Sequence, residues 1–201
     1  RYIYQYYDQV QIDILTQVSE ILIESCISLL QSEIAVQSGA TLAEISIFLS
    51  TFDMNIDQIV HSLIQNLEQN TIEAGSFEFF NTVCDEINID SSLYFTIINF
   101  ITNPEFLSQA NQIDVIKGIQ LISHIILRDI ILIELDTLTS IVNFLISAIS
   151  TFEYKSSVYI CFAYLVKKSS YFQHITLDQF FFEELLNDLE NENCVFEICY
   201  F

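Results

Sequence analysis

Apolar helical segments recur along this chain at intervals of about 40 residues, and that recurrence leaves few folds open. The residues Phe152 to Lys168 read as one helix, a few residues after another over Thr137–Ser150. Similar turn-then-helix units centre near residues 80 and 120, and their partner helices near 62, 97, 143 and 183. No such unit buries its apolar face alone, whereas stacked neighbours bury it for one another.

Composition points the same way. Of 201 residues 52% are hydrophobic, with only three Gly and one Pro. Sandwiches and barrels need turn residues every 8–12 positions, so long helices joined by short polar links fit better. A helical period of ~40–47 residues belongs to α-solenoids of the armadillo or HEAT type. The expected fold is therefore all-α: about five two- to three-helix repeats forming one domain over residues 1–201. The rival is an irregular helical bundle. The chain opens on Arg1 and closes in an apolar run at Phe201, as expected of a fragment of a longer array.

Polar residues mark the expected helix ends. Ser38-Gly39 reads as a break, and Thr41 with Glu44 as a capping box that opens the next helix. Asn55, Asp90, Asn111 and Asp136 read as further N-caps, and Thr176 with Gln179 as a second box. One helix should stop before Pro104. A last one should begin at Cys194, after a turn at Asn191–Asn193.

The net charge is −21, and no Lys or Arg lies between Arg1 and Lys117. Phosphate binding needs cations, so nucleic acid is a poor partner, and anionic membranes are disfavoured likewise. The longest charge-free apolar stretch, Thr137–Phe152, falls short of a membrane span. A basic protein segment is the natural electrostatic complement.

Five cysteines at scattered positions suggest reduced thiols and a cytoplasmic or nuclear setting. Cys194 and Cys199 lie about 140° apart on a helix, and no His is near them, so no zinc site is expected there. His124 and His174 read as lone histidines. Glu183, Glu184 and Asp188 read as an exposed acidic helix end, without the contrasting environments that acid–base catalysis requires. No Gly-rich phosphate loop or activated nucleophile is visible, so neither enzymatic activity, a metal nor a cofactor is expected.

Phe152-Glu-Tyr-Lys155 followed by Val158-Tyr-Ile-Cys-Phe-Ala-Tyr164 resembles the third helix of armadillo repeats, in particular those of the importin-alpha family. Lys117-Gly-Ile-Gln-Leu-Ile-Ser-His124 resembles the same motif one repeat earlier. Leu185–Leu189 with Val195-Phe-Glu-Ile198 resembles the passage from second to third helix. The resemblance covers residues 113–201 and implies an adaptor for nuclear import that holds a basic peptide in a concave groove. That family lines its groove with a Trp and, four residues on, an Asn. Here the Trp positions are Gln120 and Ile160, and the Asn positions are His124 and Tyr164. One repeat earlier the equivalents are Asn81 and Asp85.

The expected partner-binding strip is thus Asn81, Asp85, Gln120, His124, Arg128, Tyr164 and Lys168. Residues four apart share a helix face, and stacked repeats would set these faces side by side. The plainer reading of the same residues is the solvated side of amphipathic helices. Two further functions stay open beside the binding scaffold: a structural spacer in a larger assembly, and a helical enzyme or cofactor-binding domain.

Overall fold

A computed structural model describes residues 9–30, 32–52, 56–69, 74–87, 89–151, 155–168 and 179–190. Among them every regular element is a helix. In chain order these are α1 (Gln9–Ser28), α2 (Ala35–Ser50), α3 (Asp57–Glu68), α4 (Ala74–Val83) and α5 (Ser91–Ile101). There follow α6 (Pro104–Gln109), α7 (Gln112–Arg128), α8 (Leu135–Thr151), α9 (Ser156–Lys167) and α10 (Gln179–Glu190). The all-helical class matches expectation.

The helices pack in an ordered way. α1 lies on α2, α2 on α4, α4 on α7 and α7 on α9. A second series runs α3 on α5, α5 on α8 and α8 on α10. Residues of both series are sealed in one core: Phe77, Phe80, Ile122 and Phe162 from the first, with Leu63, Ile97 and Leu145 from the second. The short α6 inserts Phe106 into this core. Its ring lies 5.9 Å from Phe77, 5.6 Å from Phe100 and 6.1 Å from Phe144, in edge-on or tilted geometry.

Several helix ends follow from their capping residues. Asp90 accepts from the Ser92 amide and starts α5. Asn111 accepts from the Ile113 and Asp114 amides while Asp114 accepts from the Asn111 amide, a reciprocal box that opens α7. Asn103 caps α6 ahead of Pro104, which suits a first helical position because its missing N–H would have no partner there. The sequence showed α5 ending before Pro104 but gave no sign of α6.

Other expected ends are corrected. α2 runs through Ser38-Gly39 and Thr41 without a break. Thr41 donates to the Gln37 carbonyl from inside the helix, and so does not cap. Gly39 is there for space: a Cβ on it would stand 2.0 Å from the Gly75 carbonyl oxygen. Ser38 donates to the Cys26 carbonyl and ties α2 to α1. Asp136 lies in the first turn of α8, one residue inside the start at Leu135. On α1 the apolar residues Ile14, Val18, Ile21 and Leu22 are exposed, and among its described side chains Ser19 and Cys26 are buried.

The expected Asn55 cap, the run-in Phe152–Tyr154, the Thr176 box, His174 and the segment 191–201 with its two cysteines lie outside the described residues.

Candidate functional site: a polar groove across α4, α7 and α9

Three polar links cross the first series of helices at one sequence offset. Asp85 meets His124 at 3.1 Å, and these residues are 39 apart in the chain. Lys168 meets Asp129 with the same offset. Lys117 meets Glu78 at 2.8 Å, again with that offset. A constant offset means that α4, α7 and α9 stack in a fixed register, each residue facing its equivalent on the next helix. Asp129 ends α7 in a left-handed conformation with φ 51°, and the Lys168 ammonium at the end of α9 holds its carboxylate.

A groove of about 460 Å³ runs over these three helices. Five of the seven expected residues line it: Asn81 from α4, Gln120, His124 and Arg128 from α7, and Tyr164 from α9. Asp85, in the turn after α4, does not line the groove. Its Oδ2 takes both the His124 contact and Arg128, the latter at 3.2 Å, and so holds the two groove residues in place. Lys168 does not line it either, being engaged with Asp129. His124, read from sequence as lone, has a partner from the neighbouring helix.

The walls also hold residues the sequence did not single out. Glu78 and Lys117 form an ion pair there, each with a side chain 21% exposed. Ser157 contributes from α9, beside Ile160, which stands at an expected Trp position. The 39-residue offset was the available signal, because 117 stands to 78 as 124 stands to 85.

The groove is close to electrically neutral. Lys117 is offset by Glu78, and Arg128 by Asp85. With the Ser157 hydroxyl, three larger polar side chains are left to meet a ligand. The amides of Asn81 and Gln120 and the hydroxyl of Tyr164 make no hydrogen bond to the protein among the described residues. A side-chain amide both donates and accepts, so it can bond an N–H and a C=O of one extended backbone.

A separate cluster joins α9 to α10. Lys155 lies 2.7 Å from Glu184 and 3.1 Å from Asp188, and the Tyr159 hydroxyl donates to Asp188. Asp188 is buried at 8% exposure, which corrects the reading of this helix end as exposed. Glu183 does face solvent. Partial burial works against the Lys155 charge, but hydrogen bonds to Glu184 and Asp188 and their negative charges outweigh it, so its pKa is raised. A cation held this firmly serves to fasten two helices.

Two of the described thiols, Cys84 and Cys161, are poor nucleophiles. Burial, with the Asp85 charge beside it, pushes Cys84 up to about 11. Burial pushes Cys161 up to about 12, despite a hydrogen bond with Ser123. A reactive cysteine needs the opposite environment. No helix among the described residues is long and apolar enough to cross a membrane. Set against known proteins, the chain matches no family model, no curated protein and no solved structure.

Proposed function

We propose that this protein is a binding scaffold of the armadillo or HEAT type, an α-solenoid that holds an extended basic segment of another protein across α4, α7 and α9. The observation that carries this reading is the set of unengaged polar groups, Asn81, Gln120 and Tyr164 with the smaller Ser157, along one groove whose charged residues are already paired. The regular register of the helices supports the repeat reading. The groove hydrogen-bonds the backbone of the segment, and the remaining negative charge of a −21 chain draws a basic one in. A nuclear import adaptor is the form of this function that the importin-alpha resemblance implies. Amide and phenol groups here take the place of that family's Trp–Asn ladder.

The test is binding of an unstructured Lys- and Arg-rich peptide, followed by fluorescence anisotropy. Gln120→Ala with Tyr164→Phe removes two groove hydrogen bonds and leaves the charge unchanged. Each lost bond is expected to cost on the order of 1 kcal/mol, about fivefold in affinity. Glu183→Gln on α10 removes one exposed charge and should change little. Equal losses at both places would mean diffuse attraction without a groove. Absence of binding would leave the structural spacer as the better reading.

A further inference from the structure

Beside the groove, where the turn after α4 meets the middle of α7, Cys84, Asp85 and His124 come together. One donor atom from each lies within 4.8 Å of the other two. Thiol, carboxylate and imidazole are the three common zinc ligands, and a set mixing sulfur with nitrogen and oxygen suits a borderline-soft divalent ion. The His124 Nε2 to Asp85 Oδ2 distance is 3.1 Å. Two ligands of a tetrahedral zinc, bound at ~2.0–2.2 Å, stand about 3.3 Å apart. Only a small widening of this pair would admit the ion.

Two further observations point to a ligand here. Cys84 and Asp85 line a cavity of about 600 Å³ together with Glu86, Asp90 and Tyr94, and among the described residues no Lys or Arg lines it. Tyr94 is 1% exposed, yet its hydroxyl has no hydrogen-bond partner among the described residues. A buried hydroxyl without a partner carries a desolvation cost, which a metal-bound water in that cavity would relieve. Arg128 lies 3.2 Å from Asp85. It occupies the place of an outer-shell group that fixes a ligating carboxylate.

We propose that Cys84, Asp85 and His124 form a binding site for a divalent transition-metal ion of the zinc type, with water in the fourth position. The ion joins the end of α4 to α7. On binding, the thiol proton passes to solvent and the sulfur coordinates as thiolate, since a bound dication stabilises the deprotonated form outright. His124 also lines the groove, so the test of this site uses no peptide.

The experiment is titration of chelator-treated protein with Co²⁺ alone, read by absorbance, followed by displacement with Zn²⁺. One equivalent of Co²⁺ should give a near-ultraviolet thiolate-to-cobalt band and visible bands of tetrahedral intensity, both removed by Zn²⁺. Cys84→Ser should abolish the thiolate band. His124→Ala should weaken binding by at least the ~10–100-fold that follows loss of an outer-shell partner. Cys161→Ser, a buried thiol elsewhere, should leave the band intact. Circular dichroism checks that each variant stays helical, and Asp85→Asn, a partly exposed change, replaces any variant that does not. Absence of a thiolate band in the wild type, or a band that survives Cys84→Ser, overturns the proposal.

Discussion

Gly39 and Gly75 meet backbone to backbone where α2 crosses α4. A Cβ on Gly39 would lie 2.0 Å from the Gly75 carbonyl oxygen, and one on Gly75 would lie 2.4 Å from the Ala35 carbonyl oxygen. Neither obstacle is a side chain able to turn away. Glycine in a helix interior costs about 1 kcal/mol relative to alanine, and the close approach of the two helices offsets that cost.

Gly39→Ala should therefore destabilise the protein although alanine favours helix. Overpacking against fixed backbone costs roughly 1–3 kcal/mol, and the propensity gain returns less than that. Gly118→Ala is the control. The three atoms nearest its Cβ would all belong to the Ile101 side chain, at 3.3 to 3.5 Å, and a side chain can yield by a few tenths of an ångström. That variant should be neutral or up to ~1 kcal/mol more stable. Urea denaturation of the two variants checks the contrast, and equal effects would mean that the crossing is looser than described.

Lys155 should stabilise the junction of α9 with α10 in a pH-dependent way. Lys155→Met leaves Asp188 buried with Tyr159 as its remaining described hydrogen-bond partner. The expected cost is on the order of 2 kcal/mol, below the ~3–5 kcal/mol of a fully buried pair because Glu184 is partly exposed. The pKa of Lys155 is raised above its ordinary 10.5 on folding. Its contribution is then complete below pH 10.5 and is lost as the pH rises through the higher folded value. The stability gap between wild type and Lys155→Met should stay constant from neutral pH upward and close only in strong alkali. A gap that closes between neutral pH and pH 10 would contradict the assignment.

The helical class was legible in the sequence because apolar residues recur at helical spacing and Gly and Pro are scarce. Positions 81, 120 and 160 are 39 or 40 residues apart, and with helices in constant register that offset places equivalent residues on neighbouring helices. Asn111 was readable as a cap because its partners lie within three residues. Gly39 was misread because a glycine that breaks a helix and one that admits another helix look alike in sequence; the difference lies in Gly75, 36 positions on. His124 was misread as lone because its partner Asp85 is on another element. Asp188 was misread as exposed because Lys155, which neutralises it, precedes it by 33 residues. What failed was reading interactions that depend on which helices touch.

The central claim is that a basic extended segment lies along Asn81, Gln120 and Tyr164. The most direct measurement is the nuclear magnetic resonance spectrum of the side-chain amides, with such a peptide added stepwise at physiological salt. Salt at that level screens exposed charges beyond ~8 Å, so loose attraction to the acidic surface is suppressed. The account predicts saturable shifts of the Asn81 and Gln120 side-chain amide signals and of the Tyr164 ring, with the Asn187 amide on α10 unmoved. Shifts that move with the exposed acidic residues of α10 and spare Gln120 would contradict it.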